Sequence, residues 1–182
     1  MASNRAVRTL PNWLSLFRLV ASVLIGVLLL LDPHGLRVFI ALLFATASIT
    51  DYLDGYLARR WNVVSQLGVF MDLAADKILV STVLIMLVGT GAVPSWMAAL
   101  IIAREFIVSG LRSHAAAKGM VISASQLGKW KTAITLPALT LVLLDVYRPL
   151  ELVLLLAVTL ATVGSGIDYI YGYWQAELRS RQ

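Results

Sequence analysis

The sequence predicts an all-α integral membrane protein with six transmembrane helices, and three observations carry that prediction. Apolar residues make up 59% of the 182 positions and charged residues only 14%, against about 25% charged in a typical soluble domain. Mean hydropathy is +0.84. The apolar residues also gather into six stretches, 13–31, 38–58, 67–89, 93–112, 125–145 and 150–173, each close to the roughly 20 residues that a helix needs to cross a bilayer. The chain reads as one domain, 1–182, with residues 1–12 as a cytoplasmic N-terminal segment.

Each element follows from what bounds it. Residues 1–12 are polar, carry Arg5 and Arg8, and predict a short surface helix leading into the first span. That span is longer than the apolar core of a signal peptide and lacks a small-x-small cleavage site, so it reads as a retained helix. Asp32, Pro33, His34 and Gly35 close it. The second span ends at Arg59, Arg60, Trp61 and Asn62, the third between Gly89 and Pro94, the fourth in a polar stretch from Arg112 to Ser125, and the fifth at Tyr147, Arg148 and Pro149. Gly and Pro serve there as turn residues. The chain has no Cys, which excludes disulfides and thiolate metal sites.

Basic residues set the orientation. With the N-terminus inside, one side collects Arg5, Arg8, Arg18, Arg59, Arg60, Arg112, Lys118, Lys129, Lys131, Arg179 and Arg181, and the other only Arg37 and Arg148. Both termini are therefore expected in the cytoplasm. The net charge of +5 is accounted for by this topology, and no nucleic-acid partner is expected. Trp13, Trp96, Trp174 and several Tyr suit an interfacial belt.

Two spans carry acids where acids are costly. Asp51, Asp54, Gly55 and Ala58 fall on one stripe of the second helix, and Gly68, Asp72 and Asp76, each four apart, on one stripe of the third. Asp51 lies nine residues before Arg60, about 13 Å along a helix rising 1.5 Å per residue. Intramembrane carboxylates mark functional sites, and a cluster of oxygen ligands suits Mg²⁺ or Mn²⁺. Small residues on the same face leave room for a flat or phosphorylated ligand, or simply let helices pack closely. By themselves the acids also admit a cation-coupled transporter, or burial against Lys77, Arg59 or Arg104. Transporter sites, however, favour the bilayer midplane and internal repeats, whereas these acids are biased to the cytoplasmic side and no repeat is visible.

The pattern D-x-x-D-G-x-x-A-R, eight residues, G-x-x-x-D-x-x-x-D, running from Asp51 to Asp76, resembles the signature of the CDP-alcohol phosphotransferase family at every fixed position. The resemblance implies six transmembrane helices in that family's fold, and a reaction in which an alcohol attacks the phosphate of a CDP-linked lipid and releases CMP. It implies a Mg²⁺- or Mn²⁺-dependent enzyme with Asp51, Asp54, Asp72 and Asp76 at the metal and Asp76 as the base. It further implies that Gly55, Ala58, Arg59 and Gly68 line the CDP-lipid site, with Asn12 and Arg18 joining from the segment Pro11 to Arg18. Family members are commonly homodimers.

Two further segments bear on the acceptor. The run Arg104-Glu105-Phe106-Ile107-Val108-Ser109-Gly110-Leu111-Arg112, and then Gly128-Lys129-Trp130-Lys131-Thr132, resemble segments of those members that make phosphatidylglycerophosphate. The resemblance implies CDP-diacylglycerol and sn-glycerol 3-phosphate as substrates within a lipid membrane. Arg104, Glu105, Ser109, Arg112, Lys129 and Lys131 would form a basic pocket at the cytoplasmic rim for the acceptor phosphate, and inositol phosphate, serine or phosphatidylglycerol are the alternative acceptors. Those members often carry Pro after the third aspartate, where this chain has Leu73. Lys129 and Lys131 also fit plain topology, Asp168 is open between packing and the site, and His34 and His114 are not expected to be ligands.

Overall fold

The structure, a computed structural model, describes residues 2–32, 34–61, 66–120 and 126–179, with side chains described for 13–32, 34–50, 71, 73–120, 127–128 and 130–178. The described residues form six helices: α1 (Ala2–Leu31), α2 (Arg37–Trp61), α3 (Gln66–Gly89), α4 (Ser95–Ala117), α5 (Gln126–Leu144) and α6 (Arg148–Arg179). All six expected helices are present, but three boundaries differ by more than three residues. Residues 2–12 continue into α1 as one helix rather than forming a separate one. Helix α4 runs on through the polar residues after Arg112 to Ala117, because Ala115, Ala116 and Ala117 are strong helix formers and polarity alone does not break a helix. Helix α6 extends to Arg179, past the apolar limit at 173.

Glycine decides where two helices stop. Gly91 has φ 74°, its N–H donates to Val88 O, and the next N–H, of Ala92, donates to Leu87 O. That pair of bonds is a Schellman cap on α3. Gly119, with φ 69°, repeats it on α4: its N–H reaches Ala116 O and that of Met120 reaches Ala115 O. At the end of α5, Asp145 takes the left-handed conformation at φ 52°. Its carboxylate accepts from Arg37 Nη1 at 3.0 Å, which ties it to the start of α2.

The helices fall into two compact units, residues 1–92 with 140–145, and residues 93–139 with 146–182. In the first unit α1 packs on α3 and α2. Its buried positions Ser15, Arg18, Ser22, Ile25 and Leu29 recur at three- and four-residue steps, the stripe of a helix with one inward face. Gly26 lets α3 come close: a Cβ there would sit 3.2 Å from Thr82 Cγ2. In the second unit α4 packs on α6. Helix α6 turns Leu155, Val158, Thr162, Ser165 and Tyr169 inward, again at helical steps. Glu151, also fully buried, serves the start of α6: its Oε1 accepts from Tyr147 N–H at 3.1 Å, satisfying a backbone donor that the helix leaves open.

The outer faces are apolar. Trp13, Val20, Val23, Leu30 and Leu31 on α1, and Val153, Leu160, Ile167, Tyr171 and Trp174 on α6, are exposed, an extent of apolar surface that water-soluble monomers rarely show. Trp96 is exposed as well. Among the described residues two stretches have the length and composition to cross a membrane, Trp13–Leu31 and Arg148–Leu178, with shorter apolar stretches at Arg37–Thr50 and Trp130–Leu144.

Candidate active site

The aspartate motif occupies the end of α2 and the start of α3, helices that pack on one another within the first unit. Backbone at Asp51, Asp54, Gly55, Ala58, Arg59, Gly68 and Asp72 is helical, so steps of three and four residues place Asp51, Asp54, Gly55 and Ala58 along one side of α2, and Gly68, Asp72 and Asp76 along one side of α3. The side chains of these seven residues, and those of Asn12 and Lys129, lie outside the described residues. Asp76 is described; it is half-buried on α3 and has a polar partner. Lys77, one candidate partner for the acids, donates to the carbonyl of Leu73 at 3.3 Å. Arg18 is completely buried on α1, and it too has a polar or ionic partner. Among the described residues no three His, Cys, Asp or Glu side chains gather as a metal site.

The second cluster lies wholly within the second unit. Glu105 on α4 is its centre. Its Oε1 accepts from Lys131 Nζ on α5 at 2.7 Å and from Arg104 Nη1 on α4 at 2.8 Å. Arg104 Nη2 donates to Ser165 Oγ on α6 at 2.9 Å. The Lys131 side chain is only 9% exposed and that of Glu105 15%, so the pairing is shielded from solvent, and removing either partner would leave the other as an uncompensated buried charge. Gly166 makes room for this arrangement: a Cβ there would meet Arg104 Cγ at 3.0 Å. Arg104 Nε is buried, with no hydrogen-bond partner among the described residues. The ends of α4 and α6 are joined further by Arg112, whose guanidinium lies 5.7 Å from the centre of the Tyr169 ring, a cation–π distance. Lys118 Nζ donates to both carboxylate oxygens of Glu177 at 3.0 Å, and the His114 and Tyr173 rings lie 6.1 Å apart.

Of the proposed acceptor residues, Arg104, Glu105 and Lys131 form one bonded group. Ser109 is half-buried and Arg112 exposed. The cluster differs from an open rim in that Lys131 is inside and already paired, because a buried ammonium requires a counter-charge. The ion pair foreseen for Arg104 forms with its own neighbour in sequence, and the contact to the neighbouring helix goes to a hydroxyl. Asp168 is exposed and outside this network. Ser165 and Gly166 carried no role in the sequence reading. The visible signal was Gly164-Ser165-Gly166, small residues inside an otherwise apolar helix where another helix can approach.

Six described helices with exposed apolar residues, an aspartate motif on one helix pair and a shielded cation cluster on another helix set define an all-helical protein of membrane composition. A family model described as CDP-alcohol phosphatidyltransferase matches residues 8–164, and the chain belongs to that family. Among similar proteins, the CDP-diacylglycerol–glycerol-3-phosphate 3-phosphatidyltransferase of Bacillus subtilis is 45% identical over 143 residues, covering 75% of this chain and 74% of its own. The protein of the same name from Rickettsia bellii is 42% identical over 135 residues, covering 74% and 75%. A Mycobacterium tuberculosis protein named "Probable phosphatidylglycerophosphate synthase" is 38% identical over 179 residues, covering 93% and 84%.

Proposed function

We propose that this chain transfers the phosphatidyl group of CDP-diacylglycerol to sn-glycerol 3-phosphate, giving phosphatidylglycerophosphate and CMP. The observation that carries the reading is the 45% identity with the Bacillus subtilis enzyme of that name across three quarters of the chain. The shielded group of Arg104, Glu105 and Lys131 supports it, since it combines two cations with one acid and keeps a net positive charge. A phosphorylated acceptor is attracted to such a charge; neutral serine is not.

The acids fit a divalent cation by the chemistry of the donor set: Asp51, Asp54, Asp72 and Asp76 offer only hard oxygen atoms, on two helices that pack together. These four would hold Mg²⁺ or Mn²⁺, and such an ion when bound neutralises diphosphate charge. The remaining work belongs to side chains of the chain itself. Asp76 takes the proton of the acceptor hydroxyl as the new O–P bond forms and CMP leaves. Arg59, a permanent cation with fork geometry, pairs with the diphosphate. Gly55, Ala58 and Gly68 leave space for the nucleotide, with Asn12 and Arg18 beside it. Arg104, Arg112, Lys129 and Lys131 attract the acceptor phosphate. In this reading the chain is one domain whose six helices span the bilayer, with both termini in the cytoplasm.

Release of CMP, measured for the purified protein with CDP-diacylglycerol and each acceptor in turn, tests the proposal. Turnover is expected with sn-glycerol 3-phosphate and not with inositol phosphate, serine or phosphatidylglycerol. Turnover with one of those alone defeats the acceptor assignment and leaves the CDP-alcohol chemistry standing. No CMP with any acceptor defeats both.

A further inference from the structure

A carboxylate repels a phosphate, so Glu105 is a poor direct ligand for a phosphorylated acceptor. Its geometry gives it another task. One oxygen, Oε1, receives both the Lys131 ammonium at 2.7 Å and the Arg104 guanidinium at 2.8 Å. Lys131 has three donors; Glu105 takes one, and the others have no partner among the described residues. Ser165 does the corresponding work on the other side of Arg104. Its proton is committed to the Thr162 carbonyl at 3.0 Å, which leaves its lone pairs to accept from Arg104 Nη2 at 2.9 Å. Lysine carries a flexible four-carbon stem, and Arg104 spans from α4 to α6. Without anchors, both cations would sample several rotamers, and ordering them would weaken each binding event.

We infer that Glu105 and Ser165 are positioning residues of the acceptor site: they hold the Lys131 ammonium and the Arg104 guanidinium in place for the acceptor's phosphate and do not touch that phosphate themselves. The inference deepens the proposed function and rests on it. It separates Glu105 from the direct phosphate contacts and brings in Ser165, which lies 61 residues from Arg104 in sequence.

The test is steady-state CMP release by the full-length protein, with KM measured for each substrate. Glu105→Gln keeps the shape and removes the charge. It is expected to raise the KM for sn-glycerol 3-phosphate roughly tenfold, as misplaced binding groups do, with the KM for CDP-diacylglycerol unmoved. The sign is diagnostic: if Glu105 merely opposed the anion, deleting its charge would lower the acceptor KM, and that result overturns the inference. In a Lys131→Ala background, Glu105→Gln should raise the acceptor KM by less than it does alone, because only its contact to Arg104 then remains to be lost; full additivity overturns the route through Lys131. Ser165→Ala alters no charge and stands as the second variant should Glu105→Gln not fold. It is expected to raise the acceptor KM several-fold, and an unchanged value overturns its role. A fall in Tm or kcat with both KM values intact would show mere structural support and also overturn the inference. If the unaltered protein does not use sn-glycerol 3-phosphate, it is the proposed function that fails; if it does, and both variants keep its KM, only the inference fails.

Discussion

Replacing Gly166 by Ala isolates the contact on which the cation cluster rests. The added Cβ would stand 3.0 Å from Arg104 Cγ, with Nε at 3.7 Å and Cδ at 4.0 Å. Ordinary carbon contacts are about 3.5–4.0 Å, so the arginine stem must retreat. It cannot do so freely, because its guanidinium is tied to Glu105 at 2.8 Å and to Ser165 at 2.9 Å. Overpacking of this kind costs about 1–3 kcal/mol, while exchanging Gly for Ala in a helix returns up to about 1 kcal/mol. Gly164→Ala is the matched control: its Cβ would meet only Leu127 Cδ1, at an ordinary 3.7 Å, so it keeps the helix gain without the clash. The two variants, two residues apart on α6, should therefore differ by about 1–3 kcal/mol, the overpacking term alone, with Gly166→Ala the weaker. Thermal unfolding in detergent reads the gap as several degrees in Tm, and Gly166→Ala should also raise the acceptor KM. Equal Tm values for the two variants would refute the reasoning that Arg104 is held against Gly166.

Three further outcomes are expected. Asp51→Asn and Asp72→Asn should each abolish CMP release while the protein still folds, and chelation should do the same to the unaltered protein until Mg²⁺ or Mn²⁺ is restored; full activity in either variant removes the metal assignment. Asp76→Asn should still bind CDP-diacylglycerol but turn over about 10²–10⁴-fold more slowly, the usual contribution of a general base, and a wild-type kcat would remove it from the chemistry. Asp145→Ala breaks a partly exposed ion pair to Arg37 whose carboxylate side is 57% exposed; its loss should shift stability by no more than about 1 kcal/mol, and a larger fall in Tm would mean that the left-handed backbone at Asp145 matters more than the charge.

Much of this protein is determined by local sequence. Helix number follows from six apolar stretches, because each apolar run longer than a few turns must satisfy its own backbone when no water is present. Family membership was legible in the motif from Asp51 to Asp76, whose residue types recur at fixed helical steps, and the family model matches residues 8–164. The helix ends at Gly91 and Gly119 are local too, since only a residue at ease with positive φ completes such caps. The extension of α4 beyond Arg112 was less legible, because a change from apolar to polar residues marks the edge of a membrane rather than the end of a helix.

Tertiary structure decided what the cations are bonded to. Lys131 looked like one of two lysines on a cytoplasmic rim, yet it is buried against Glu105. Arg104 looked in need of an acid on another helix, yet the acid is its neighbour and the distant partner is Ser165. Spacing along one helix places residues on a face but does not say how that helix is rotated against the next. Which donor meets which acceptor depends on that rotation and on how closely the backbones approach. The approach of α4 to α6 rests on the missing side chain of Gly166, and sequence alone gives no sign of which helix fills that space.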